Sequence, residues 1–285
     1  MNKHIGVVGA GNIGVSVTID LLLKGFRVTL LDISTDILNK AIHKIEQEIR
    51  LAVMVQKIQP AQTDTGHYRE RLLLTTDMAD LTNAGFIIEN TPEEWNIKEK
   101  VYRELSHVCP KDVCFGVNTS CISIARVAEI TDRKDKVVGL HFMNPVYMMP
   151  TVEVMKSRYT SAETLKEINQ LMKDMKKEAI IVNDHPGFVS NRISHLFMNE
   201  AAYVFQDNVA SAEEIDNIFK KCFFHKMGPL ETADLIGIDT VMKSLNVLYE
   251  SYQDPKFRCC PLLVKMVAEG KLGRKTGAGF YNYNY

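Results

Sequence analysis

Over the first 180 or so residues, short apolar runs alternate with longer amphipathic stretches. The runs cover 5–8, 28–31, 72–75, 86–89, 113–117, 137–141, 151–155 and 179–182. Each has strand length and carries β-branched or aromatic residues, so each predicts a strand. Between them the 3.6-residue period predicts helices over 13–24, from 35 toward Lys57, over 96–108 and over 160–177. Gly25 stops the first of these, and Thr160 with Glu163 fits a capping box at the start of the last. Alternating strands and helices imply a largely parallel sheet covered by helices.

The pattern changes at Asp184-His185-Pro186-Gly187, where Pro and Gly punctuate the chain. Beyond it the sequence reads as helices at 188–207, 212–223, 228–235, 239–252 and 262–269, with Ser211 and Glu214 as a capping box for the second. No further strand is expected. The chain therefore divides near residue 184, into an α/β domain over 1–184 and an all-α domain over 185–285.

Composition narrows the class. The 285 residues suffice for two cores. Formal net charge is −1, which argues against a protein that coats nucleic acid or an anionic membrane. No apolar run reaches transmembrane length, and the first residues do not read as a signal peptide. The six cysteines show no C-x-x-C pair and no zinc spacing, and the expectation is reduced thiols in a cytoplasmic protein without a metal.

The sharpest local signal is Gly9-Ala10-Gly11-Asn12-Ile13-Gly14 between a strand and a helix. Alone this spacing is weak, but the context is that of a Rossmann-type doubly wound fold. Gly9 permits the tight turn, Gly11 lets backbone approach a pyrophosphate, and Gly14 lets helix pack on strand. Gly9, Gly11, Asn12, Ile13 and Gly14 would line the phosphates at the helix N-terminus, where free N–H groups favour anions. The second strand ends in Asp32, 18 residues past Gly14. A carboxylate there accepts hydrogen bonds from ribose hydroxyls and repels a 2′-phosphate, which favours NAD over NADP. A plain glycine turn with a solvated Asp is the competing reading. FAD uses the same fingerprint, but nothing else in the chain is built for a flavin.

A dehydrogenase needs a base for the hydroxyl proton, and histidine suits it. His141 ends a strand, on the side where doubly wound sheets bind ligands. Glu153, twelve residues on, is a carboxylate amid apolar neighbours and wants a partner. An imidazolium would be that partner. Spacing alone equally allows a surface His and an edge-strand Glu that never meet.

Several segments stand in order at suitable separations. They are Asn118-Thr119-Ser120, His141-Phe142-Met143-Asn144-Pro145, Val152-Glu153-Val154, Pro186-Gly187-Phe188-Val189-Ser190-Asn191-Arg192, Met227-Gly228-Pro229 and Gly273-Arg274-Lys275-Thr276-Gly277-Ala278-Gly279-Phe280-Tyr281. Together they resemble the L-3-hydroxyacyl-CoA dehydrogenases, 3-hydroxybutyryl-CoA dehydrogenases included, over almost the whole chain. The resemblance implies His141 as general acid/base, Glu153 as its partner, and Ser120 and Asn191 as hydrogen-bonding groups for the substrate oxygens. By themselves Ser120 would read as a helix N-cap and Asn191 as a polar helix residue. It further implies cofactor contacts at Glu93, Lys98, Asn144 and Lys275, and a homodimer through the helical domain.

The sequence departs from the family where CoA would bind. Pro150 stands where a lysine is usual, Val55 where a lysine meets the nucleotide, and Glu48 where some relatives have a serine. Cys121 replaces a serine of the Asn-Thr-Ser-Ser segment. Arg50 and Lys57 could compensate for the lost cations. The alternative is a hydroxyacyl group delivered on an acyl carrier protein, as in polyketide-type extender-unit synthesis. Two other classes are a non-catalytic dinucleotide binder and a dehydrogenase of free hydroxy acids. The latter would need Arg192 as its carboxylate clamp, a residue better read as a helix-surface arginine.

Overall fold

The computed structural model describes residues 3–54 and 67–283. Val55, Lys57 and the far end of the second expected helix lie outside the described residues.

The chain separates into two compact units, Met1–His185 and Pro186–Tyr285. The first contains eight strands: β1 (His4–Val8), β2 (Arg27–Leu31), β3 (Leu72–Thr75), β4 (Phe86–Glu89), β5 (Cys114–Val117), β6 (Val137–His141), β7 (Thr151–Lys156) and β8 (Glu178–Asn183). They form one sheet in the order β3-β2-β1-β4-β5-β6-β7-β8. Strand order reverses between β1 and β4, which opens a crevice at their carboxyl ends. β1, β4, β5 and β6 are buried along nearly their whole length, which is why they read as continuous apolar runs. β8 is one of the two edge strands, with Ile180 and Ile181 exposed. One pairing is antiparallel, β6 with β7.

The covering helices are α1 (Asn12–Leu23), α2 (Thr35–Met54), α3 (Trp95–Val108), α4 (Ile124–Glu129) and α5 (Ala162–Asp174). α1 is buried from Gly14 to Leu23. α2 is amphipathic and buries Leu38, Ala41, Ile45 and Ile49, a stripe at helical spacing. α4 was not legible, since six residues are too few to display a period.

The start of α5 corrects the expected cap. Ser161, not Thr160, is the N-cap, and its Oγ accepts from the Thr164 N–H at 3.1 Å. Thr160 is used in the preceding turn: its Oγ1 donates to the Val137 carbonyl and accepts from the Ser157 N–H.

The second unit is helical: α6 (Ser190–Gln206), α7 (Ala212–Cys222), α8 (Pro229–Ile236), α9 (Ile238–Tyr252) and α10 (Pro261–Ala268). Ser211 and Glu214 form the expected reciprocal cap on α7. The core gathers Met198, Ala202, Ile215, Leu230, Val241, Leu245 and Leu263. Two buried carboxylates tie down its C-terminal segment. Asp234 accepts from the Phe280 and Tyr281 N–H groups, and Asp216 accepts from the Tyr281 hydroxyl at 2.7 Å. Among the described residues no helix is long and apolar enough to cross a membrane, and the six cysteines are unpaired.

Candidate active site

The glycine loop leaves β1 at the strand-order reversal. Gly9 has φ +93°, in the region open to glycine, and its N–H donates to the Leu31 carbonyl of β2. Gly14 faces back onto the loop: a Cβ there would stand 1.9 Å from the Gly9 carbonyl oxygen. Gly11 is the N-cap of α1 and has no side chain to satisfy the first-turn N–H groups. A Cβ on Gly11 would meet nothing within 4 Å, so the loop presents open backbone at a helix N-terminus. The Asp32 carboxylate stands beside it and accepts from the Ala10 N–H at 2.7 Å. Asn12 is exposed, with its Oδ1 accepting from Lys44 on α2, and Ile13 is half-buried. This arrangement fits a dinucleotide: an uncapped helix terminus for the pyrophosphate and a carboxylate for the ribose.

The antiparallel register of β6 and β7 decides the question that spacing left open. It pairs His141 directly with Glu153. His141 Nδ1 lies 3.0 Å from Glu153 Oε2, with both side chains about nine-tenths buried. On the other side of the ring, Nε2 lies 3.5 Å from Ser120 Oγ, the outer limit of a hydrogen bond. Three residues from three different segments thus line up as hydroxyl, imidazole and carboxylate.

Ser120 sits in the turn between β5 and α4, and Glu93 holds that turn. One carboxylate oxygen of Glu93 accepts from Thr119 Oγ1 at 2.5 Å and from the N–H groups of Ser120, Cys121 and Ile122 at 3.0, 2.8 and 3.3 Å. The N-cap of α4 is Ser123, not Ser120, so the bland reading of Ser120 does not hold. Burial pushes the Cys121 thiol up to about 12, with Glu93 adding to the effect. It is therefore protonated at neutral pH and is no nucleophile.

Lys98, although it lies in the first turn of α3, is fully buried. Its ammonium donates to both oxygens of Glu89 at 2.9 and 2.8 Å, and to the Asn118 and Thr91 carbonyls. Glu89 also accepts from the Thr91 N–H, and Asn118 Nδ2 donates to Asn90 Oδ1. These groups join the ends of β4 and β5 below the Ser120 turn. Sequence reasoning missed Glu89 and Asn90. The available signal was a carboxylate ending the apolar run 86–89.

Asn144 is exposed in the segment after β6. In that segment Tyr147 donates to Glu48 Oε2 at 2.6 Å, and Pro150 is exposed. Arg50 is exposed on α2. Asn191 and Lys275 belong to the second unit. Asn191 lies in the first turn of α6, and Lys275 pairs with Asp239. Arg192 is occupied: its guanidinium lies over the Tyr252 ring, 4.4 Å from the centroid, and donates to the Tyr252 hydroxyl.

Comparison with known proteins gives a consistent result. Residues 4–185 match the family described as "3-hydroxyacyl-CoA dehydrogenase, NAD binding domain", and residues 187–283 match its C-terminal domain. A 3-hydroxybutyryl-CoA dehydrogenase of Clostridioides difficile is 38% identical, covering 98% of this chain and 99% of its own. A probable 3-hydroxybutyryl-CoA dehydrogenase of Bacillus subtilis is 36% identical, covering 99% and 97%. The crystal structure of (S)-3-hydroxybutyryl-CoA dehydrogenase from Ralstonia eutropha superposes with a TM-score of 0.94 at 35% identity, covering 100% of both chains.

Proposed function

Since the chain belongs to the 3-hydroxyacyl-CoA dehydrogenase family, an NAD-dependent oxidoreductase family, we propose that it oxidises an L-3-hydroxyacyl-CoA thioester reversibly to the 3-oxoacyl thioester. The observation that carries this reading is the Ser120–His141–Glu153 alignment at the carboxyl end of the sheet. Bound NAD supplies the hydride acceptor. His141 supplies the proton transfer. With Nδ1–H directed at Glu153, the other ring nitrogen, Nε2, is the acceptor and takes the hydroxyl proton. Glu153 fixes that tautomer and stabilises the imidazolium once it forms. Ser120 Oγ hydrogen-bonds the reacting oxygen as alcohol or as ketone, and Asn191 serves the thioester carbonyl. In reduction His141 returns the proton.

The phosphates rest on Gly9, Gly11, Asn12, Ile13 and Gly14, with Asp32 at the ribose. Asn144 and Lys275 are further cofactor contacts. For Glu93 and Lys98, which the resemblance makes cofactor contacts, the reading adds a positioning part: Glu93 Oε1 holds the Ser120 turn and Lys98 the strand ends, which keeps Ser120 in place. The helical unit gives the chain its homodimer.

A second reading, an acyl carrier protein as the thioester's carrier, is favoured by one feature. On the face where the family binds the CoA nucleotide, Glu48 presents a carboxylate bonded to Tyr147. An anion there disfavours phosphate. The test offers one 3-hydroxybutyryl group both as the CoA ester and on a phosphopantetheinylated carrier protein, and follows NADH. The first reading expects higher kcat/KM with the CoA ester. Turnover of the carrier-bound group alone establishes the second, and turnover of neither overturns both.

A further inference from the structure

Helix α1 is buried over the ten residues 14–23, and all but Ser16, Thr18 and Asp20 are glycine or apolar. Asp20 is 1% exposed. A charge placed there needs a partner, and Lys177 supplies it at 3.1 Å from the turn before β8. The Lys177 ammonium also donates to the carbonyls of Val146 at 2.6 Å and Met149 at 2.5 Å. Two hydrogen-bonding carbonyls and one ion-paired carboxylate thus surround it. Both carbonyls lie in the segment that joins β6 to β7, between His141 and Glu153. α1 grips this segment a second time, where the Val146 N–H donates to Ser16 Oγ at 2.8 Å. Ser16 and Asp20 are four residues apart and so share one face of the helix.

The cost of this arrangement is visible in Asp20. Burial is the largest influence on it and pushes its carboxyl up to about 6, with Lys177 opposing only in part. A buried pair of this kind is a poor source of stability. What it provides is geometry. One end of α1 carries the glycine loop, and Asp20 lies about 12 Å further along the same rigid helix.

We propose that Asp20, Lys177 and Ser16 are positioning residues that fix the 142–150 segment against the cofactor helix, so that His141 and Asn144 keep register with the glycine loop. The proposal rests on the dehydrogenase reading for what is positioned, and on the contacts alone for the clamp itself.

The test uses the full chain carrying Asp20→Asn with Lys177→Met, and separately Ser16→Ala. The measurements are thermal melting, amide hydrogen exchange at Val146, Met148 and Met149, NADH affinity, and kcat with 3-hydroxybutyryl-CoA. The double variant is expected to melt no lower than wild type, to exchange faster at those amides, and to lose about tenfold or more in kcat through misplacement of the segment. Ser16→Ala should move exchange and kcat in the same direction by less. A folded double variant with unchanged exchange and kcat overturns the proposal, as does a lower melting point with kcat intact. If the double variant does not fold, Ser16→Ala decides on the same two readouts. Wild-type turnover is measured alongside. Its absence would sink the dehydrogenase reading, and exchange alone would then decide the clamp.

Discussion

Replacing Asp20 by Asn removes one buried carboxyl and leaves its volume nearly unchanged. The carboxyl is held at about 6 in the folded chain against an ordinary value of 3.8, chiefly by burial. That difference corresponds to roughly 3 kcal/mol. The sign follows from proton counting. Between about pH 4 and pH 6 the folded state keeps this proton while the unfolded chain has lost it. Stability from this group therefore falls as pH rises through that window and is flat above it. The amide of the Asp20→Asn variant cannot titrate, and groups remote from the Asp20–Lys177 pair cancel in the difference. Wild-type stability minus that of Asp20→Asn should then drop by roughly 3 kcal/mol between about pH 3 and pH 7. Urea unfolding at a series of pH values measures it, provided the m-values agree. Trp95, the single tryptophan, begins α3 in the unit that carries Asp20, so its fluorescence follows the relevant transition. A difference that stays flat, or rises with pH, would mean that burial does not hold a proton on Asp20.

Two further substitutions separate roles within the site. Glu93→Ala deletes the acceptor shared by Thr119, Ser120, Cys121 and Ile122. The turn is partly exposed, so about one charge-assisted bond's worth, roughly 1–2 kcal/mol, is expected, read as about tenfold in kcat with NADH affinity little changed; weakened NADH binding with kcat intact would make Glu93 a direct cofactor contact instead. Gly14→Ala places a Cβ against the Gly9 carbonyl, and NADH fluorescence titration should show binding lost; retained affinity would mean that this loop is not the phosphate seat.

Much of the fold was legible because strand and helix periods differ, and because fully buried strands stand out as apolar runs. Strands 72–75, 86–89 and 137–141 coincide with the expected ones. The glycine loop was legible because backbone approach and tight turning leave a choice of residue that little else explains. The His141–Glu153 contact, implied by the resemblance, was not legible from spacing. It depends on β7 running antiparallel to β6 in one register, and a twelve-residue gap does not state a strand's direction. The cap of α5 was misplaced by one residue because Thr160 and Ser161 are adjacent hydroxyls, and only tertiary contacts decide which one caps. Asp20, Glu89 and Lys98 share a different lesson. Each is a charge whose partner lies on another segment, and a charge inside an apolar run is the visible half of such a pair.

Everything proposed for the site turns on one division of labour: His141 carries the proton, while the glycine loop and Asp32 hold the dinucleotide independently of it. His141→Ala separates the two, with NADH affinity and turnover of 3-hydroxybutyryl-CoA measured on the same folded protein. Unchanged NADH affinity and a loss of about 10²–10⁴ in kcat are expected. Turnover near that of wild type would take the proton transfer away from His141.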